Sequence, residues 1–328
     1  MKHTSFLSAL LLSCLLTSCF SSQPTRDHTF RVIGYLPASR VDTGRIPFAY
    51  LTSINYAFGI PTPDGSGALM PIPRPDTLHA LVTAAHAHGV EVFISVGGWS
   101  LGDGGGNDTR YEVLASSPAS RTRFCASVME VVRTFQLDGA DIDWEYPDPV
   151  EPSSSNYVLL MRELKDSLHA EGKLLTTAVV SRGDRWGYGI KNEAFAVADW
   201  VNIMAYDDSY SGYNFTIAPH SPYWLAVRAF DYWVDDRGLP AEKAVMGVPF
   251  YGRGPGRGGA YRQLLAQGAD PQADVYDSIY YNGIKTMRQK TRLAMTRGSG
   301  IMIWEISEDT TGTNSLLRAI HEELTGTK

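Results

Sequence analysis

Residues 138–147 read Asp-Gly-Ala-Asp-Ile-Asp-Trp-Glu-Tyr-Pro, with four carboxylates in eight positions. Ile142 and Trp144 alternate with the last three acids, a period of two that predicts a strand and not a solvated acidic turn. Alternate side chains of a strand share a face. Asp141, Asp143 and Glu145 should therefore point the same way, spaced about 6.6 Å apart at roughly 3.3 Å rise per residue. Asp138 has the opposite parity and reads as a structural residue. Like charges held this close drive at least one carboxyl pKa upward. An acid that keeps its proton near neutral pH can serve as a general acid. The competing readings are a calcium or magnesium site and an exposed acidic edge, but the spacing fits no EF-hand loop, so no metal is expected.

Such a row needs a frame. Apolar, β-prone runs recur at residues 30–36, 53–58, 90–96, 139–145, 174–180, 200–206, 244–251 and 300–306. Helical patterns fall between them at 77–88, 121–135, 155–170, 194–198, 222–237 and 281–296. Eight strands alternating with helices imply parallel βα units, and eight such units close into a single TIM (β/α)8 barrel. No linker interrupts residues 30–320, so one domain is expected over 30–328. In such barrels catalytic residues sit at the C-terminal strand ends. Tyr35 ends the first strand, Phe58 the second, Ser95 and Trp99 the third, and Glu145 the fourth. Tyr206 and Asp207 close the sixth, Tyr251 and Arg253 the seventh, and Trp304 the eighth. A ring of polar and aromatic residues around one mouth reads as a site. Met204, of the same parity as Tyr206, fits barrel packing as well as substrate contact. Trp99 fits a stacking platform or a loop core. Trp144, of opposite parity to Glu145, is expected to pack against helices.

Taken together these residues resemble glycoside hydrolase family 18, the chitinase family. Its signature Asp-x-x-Asp-x-Asp-x-Glu is met by Asp138, Asp141, Asp143 and Glu145, followed by Tyr146-Pro147. Four more motifs agree in order: Ser95-Val96-Gly97-Gly98-Trp99, Met204-Ala205-Tyr206-Asp207, Gly247-Val248-Pro249-Phe250-Tyr251-Gly252-Arg253 and Met302-Ile303-Trp304-Glu305. The resemblance implies a retaining glycosidase with no cofactor, acting on an N-acetylglucosamine oligo- or polysaccharide such as chitin. It implies Glu145 as proton donor and the substrate's own 2-acetamido oxygen as nucleophile, an exception to the two-carboxylate scheme. Asp143 would orient the acetamido N–H, and Asp141 would share a proton with Asp143 while Tyr35 and Ser95 hydrogen-bond Asp141. Tyr206 would hold the acetamido oxygen, Trp304 would floor the sugar, and Asp207 and Arg253 would meet sugar hydroxyls. Phe58, Trp99, Met204 and Tyr251 complete the expected substrate-binding set.

The chain departs from many members of that family after the seventh strand. Only residues 254–303 separate Arg253 from Trp304, and the helix at 281–296 takes up much of them, so no sizeable α+β insertion is expected. The groove should be shallow, and short soluble chains suit it better than crystalline chitin. No spare segment is available for a separate carbohydrate-binding module. Two other functions share the resemblance. One is an endo-β-N-acetylglucosaminidase acting on N-glycans or peptidoglycan. The other is a silent sugar-binding lectin, which typically lacks the acid that Glu145 supplies.

The remaining features bound the setting. A formal net charge of −6 offers no general attraction to nucleic acid, and a monomer is expected. Lys2 and His3 precede an apolar run at 6–16, too short to span a bilayer and of signal-peptide size. Leu16-Thr17-Ser18-Cys19 resembles a bacterial lipoprotein cleavage box, with a plain secretory signal as the alternative. Residues 1–18 are then a signal peptide, Cys19 carries the lipid, 19–29 form a tether, and a bacterial cell-envelope membrane is the location. Cys125 alone remains, so no disulfide is expected, and it reads as a packed apolar residue. The loop from Gly102 to Gly106 lies beside the site without a phosphate-binding or calcium pattern. The glycosylation patterns at Asn107 and Asn214 carry no meaning in a bacterial lipoprotein.

Overall fold

The computed structural model describes residues 1, 30–99, 101, 108–183, 187–208, 214 and 218–327. Cys19 with the rest of 2–29, the loop from Gly102 to Gly106, Asn107 and Phe215 lie outside the described residues.

Parallel strands β1 (Arg31–Pro37), β2 (Ser53–Gly59), β3 (Glu91–Gly97), β4 (Gly139–Asp143), β5 (Leu174–Val180), β6 (Trp200–Met204) and β7 (Ala244–Pro249) follow in order around a barrel. Four short strands come next: β8 (Tyr251–Gly254), β9 (Arg257–Ala260), β10 (Val275–Tyr276) and β11 (Ile279–Tyr280) form a small antiparallel sheet. Strand β12 (Gly300–Trp304) then pairs with both β7 and β1 and closes the barrel. The small sheet, with one short helix, is all that stands where a larger insertion would be.

The helices are α1 (Pro75–Ala87), α2 (Thr109–Ala115), α3 (Pro118–Phe135), α4 (Ser153–His169), α5 (Asn192–Val197), α6 (Tyr223–Phe230), α7 (Tyr261–Ala266), α8 (Ile284–Arg297) and α9 (Leu316–Thr325). One gap between barrel strands holds no α-helix, and no helical pattern was expected there. Between β1 and β2 the chain makes only 3₁₀ turns at Ala38–Arg40 and Phe48–Tyr50, and α9 covers that side, with Tyr50 stacked on His321 at 4.4 Å.

Side chains divide as a barrel requires. Outward residues such as Ile54, Ile94, Ile142, Val179, Ile203 and Ile303 join the helices in the larger core. Inward residues Ile33, Phe93, Trp200, Val245 and Met302 plug the barrel, with Tyr35, Ala57, Ala178 and Met204. This plug is a floor on which polar groups of the same parity stand. Met204, 8% exposed, packs in it. Strand β4 ends at Asp143 and not at Glu145 as the alternation predicted: the Asp143 carbonyl accepts the Gly98 N–H at 2.8 Å, and the ladder stops there. Trp144 then turns outward, stacks on Tyr111 at 4.9 Å and meets Tyr157 edge-on at 5.6 Å.

Candidate active site

Lateral register assembles the site. Asp141 sits beside Ser95 of β3 and Thr176 of β5. Its Oδ2 accepts from Tyr35 Oη at 2.6 Å and Ser95 Oγ at 2.9 Å. Its Oδ1 accepts from Thr176 Oγ1 at 2.6 Å and Asn202 Nδ2 at 3.2 Å. Four strands, β1, β3, β5 and β6, each supply one donor. Burial pushes the Asp141 carboxyl up, and these hydrogen bonds only partly offset it.

Asp143 is equally buried, yet its Oδ1 meets no donor. Burial first, then the Glu145 and Asp141 charges, hold this carboxyl well above the usual range. An unsatisfied buried polar atom of this kind costs about 1–3 kcal/mol, so the oxygen is poised for a donor brought by a ligand. Asp141 spends its oxygens on four protein donors, while Oδ1 of Asp143 meets none.

Glu145 lies just past β4, partly buried. Burial is the main cause raising its pKa to about 7, aided by the Asp207 charge and opposed by bonds from the Tyr146 hydroxyl and the Trp99 backbone N–H. It thus keeps a proton near neutral pH and can still give it up. Trp99 itself is 50% exposed, which excludes a loop-core role. The peptide bonds Ala57–Phe58, Glu145–Tyr146 and Trp304–Glu305 are cis and all lie at this end of the barrel.

The opposite wall is an ion-paired cluster. Asp207, with φ 54°, receives Tyr251 Oη at 2.8 Å, Arg253 Nε at 2.7 Å and His220 Nδ1 at 2.7 Å. Burial pushes the Asp207 carboxyl up, but His220 and Arg253 outweigh it and hold the group below the usual carboxylate range. Tyr251 and Arg253 belong to β8 of the small sheet and not to the end of a barrel strand, because β8 pairs with β9 and β11. Tyr206 lies edge-on to Tyr251 at 6.4 Å, its hydroxyl 3.7 Å from Met302 Sδ. Trp304 stacks on Phe58 at 5.6 Å and tilts against Tyr35 at 5.7 Å, an apolar surface beside the carboxylates.

Asp138 stays at the other end of β4, where its Oδ2 accepts the Val92 N–H and meets His86 Nε2, both at 2.8 Å. Cys125 is buried on α3, which pushes its thiol to about 12. Sequence reasoning missed Thr176, Asn202 and His220. No group of three His, Cys, Asp or Glu arranged to hold a metal occurs among the described residues. A cavity of about 540 Å³ lies to one side, lined by Arg40, Arg45, Tyr50, Arg262, Glu308 and Asp309 among others. It includes none of the carboxylates of β4, and the chemistry lies at the barrel mouth instead.

The sequence matches the family model of glycosyl hydrolases family 18 over residues 31–309. It is similar to a probable endochitinase of Caenorhabditis elegans, 35% identical over 185 residues, 50% of this chain and 29% of that protein. The chain therefore spans under a third of that relative's length. A solved relative is the GH18 chitinase ChiB from the chitin utilization locus of Flavobacterium johnsoniae, with TM-score 0.78, 30% identity and 91% and 95% of the two chains covered. The chitinase-like agglutinin of Robinia pseudoacacia has the same fold, with TM-score 0.75 at 22% identity, 89% of this chain and 98% of that one covered. The fold alone therefore does not decide the chemistry.

Proposed function

The chain belongs to glycosyl hydrolases family 18, a chitinase-like glycosidase, and we propose that it cleaves β-1,4 bonds between N-acetylglucosamine units with the substrate's acetamido group as nucleophile. Glu145 gives its proton to the glycosidic oxygen as the bond from that oxygen to the anomeric carbon breaks. The acetamido carbonyl oxygen closes onto the anomeric carbon, forming an oxazolinium ion. Water then adds to that carbon and returns a proton to Glu145, so the product keeps the original configuration. Two group transfers from opposite sides give net retention.

The observation that carries this reading is the unsatisfied Oδ1 of Asp143. It lies between Asp141, whose oxygens are filled, and Glu145, which holds a proton to about pH 7. An acetamido N–H is the donor such an oxygen lacks, and the bond would orient the attacking carbonyl while balancing the charge that develops. Trp304 and Phe58 offer the apolar face on which a sugar ring stacks. Glu145→Gln tests the assignment. The variant should fold and bind chitin oligomers but lose roughly 10²–10⁴-fold in kcat, the range for general acid catalysis. Hydrolysis of chitotetraose at the native rate would sink it. Products from chitin oligomers, glycoproteins and peptidoglycan, compared side by side, would name the natural substrate.

A further inference from the structure

Outside the barrel, on α8, lies a buried amine that the proposed reaction does not use. Lys290 is 0% exposed, and its Nζ donates to Ser221 O, Ser221 Oγ and Asn282 Oδ1, each at 2.7 Å. An ammonium has three donors, and these acceptors saturate it. No carboxylate pairs with it among the described residues. Only Asp274 adds an attraction, and that group is already bonded to the Gly283 N–H and Thr286 Oγ1. Burial lowers the amine to about 7. A lysine this deep without an ion pair is rare and costly, and an apolar side chain would pack α8 at less cost.

What the amine grips explains its place. Ser221 Oγ donates onward to the Ala205 carbonyl at 2.6 Å, at the end of β6. Asn282 Nδ2 donates to Ser221 O at 2.9 Å, bracing the same residue from α8's leading loop. The neighbouring His220 puts Nδ1 2.7 Å from Asp207 Oδ1, and its carbonyl accepts the Asp207 N–H at 2.9 Å. Asp207 occupies the left-handed region at φ 54°, a conformation a non-glycine residue keeps only when its surroundings impose it.

We propose that Lys290 is a positioning residue for the active site: it locks Ser221 from outside the barrel so that His220 holds Asp207 in place at the mouth. The proposal rests on the reading of Asp207 as a residue that bears on Glu145 and the substrate.

A double-mutant cycle tests it, with kcat and KM on chitotetraose measured for the native enzyme, Lys290→Met, Asp207→Asn and the double variant, alongside thermal melts. Methionine keeps the stem and removes the three donors. Lys290→Met should lower kcat/KM by roughly ten- to a hundredfold, the scale of a small misplacement beside reacting groups. In the Asp207→Asn background the same change should add less than about twofold, because residues acting through one another are not additive. An equal loss in both backgrounds makes Lys290 merely structural and overturns the proposal, as does Lys290→Met at the native rate. If Asp207→Asn itself behaves as the native enzyme, the role given to Asp207 falls and the proposal falls with it, an outcome distinct from the other two. Should Lys290→Met fail to fold, Ser221→Ala removes the hydroxyl that accepts from Lys290 and ties Ser221 to Ala205, and serves in the same cycle. Its loss must likewise vanish when Asp207 is replaced, and persistence overturns the proposal.

Discussion

Asp141, Asp143 and Glu145 share one functional group and one stretch of chain, and their neighbours separate them. Four donors meet Asp141, none meets Oδ1 of Asp143, and Glu145 keeps a proton to about pH 7. Burial is the largest cause for Glu145, and the Asp207 charge adds to it, since a negative neighbour favours the neutral acid. Asp207→Asn removes that charge. The Glu145 pKa should then fall, and the alkaline limb of kcat/KM, expected near pH 7 in the native enzyme, should move to lower pH. Profiles of both enzymes check this, and a limb that stays or moves upward contradicts it. The carboxylate row was legible as parity along one strand, and Tyr35 and Ser95 as residues near the C-terminal ends of theirs. Thr176 and Asn202 were not, because a threonine or asparagine in a β-rich run is ordinary composition. Only the lateral registers that set Thr176 beside Asp141, and Asn202 one strand further, reveal them. His220 sits in a loop between elements, with no period to mark it.

The C-terminal end of β3 sets how closely the mouth can pack. Gly98 has φ +83°, and a Cβ there would lie 2.7 Å from the Phe58 ring, the ring against which Trp304 stacks. Gly98→Ala should cost roughly 1–3 kcal/mol through overpacking and backbone strain. It should also raise KM by displacing Phe58 and Trp304. A melt and a saturation curve decide this; unchanged stability with unchanged KM would refute the close-packed mouth. Strand existence was readable for all eight barrel strands, and the C-terminal ends of four of them were not. Alternation continued past the last ladder bond, so residues 145, 206, 251 and 306 were assigned to strands that stop at Asp143, Met204, Pro249 and Trp304. Sequence period records which way side chains face, and it does not record where a partner strand leaves. The shift mattered most after β7, where Tyr251 and Arg253 joined a sheet whose antiparallel partners no local pattern announced. The helices α2, α7 and α9 were likewise missed, two of them being under eight residues long.

At the scale of the whole molecule, a closed barrel with one small sheet beside its mouth was legible in advance as a barrel without a sizeable insertion. The small sheet was not, although it supplies the Tyr251 and Arg253 that grip Asp207. We propose that Cys19 is acylated and tethers this barrel to a bacterial membrane, an idea that rests on the residues 16–19 after the apolar run. Mass analysis of the N-terminal peptide should find the acyl groups, and Cys19→Ala should release an active enzyme. An unmodified, fully soluble native protein would refute the anchor. The central claim is that the substrate supplies its own nucleophile to a site whose acid is Glu145. The most direct measurement is turnover of chitotetraose against its fully deacetylated counterpart under identical conditions. The account predicts cleavage of the acetylated chain alone, since removing the acetyl group removes the attacking oxygen. Comparable turnover of the two would contradict it.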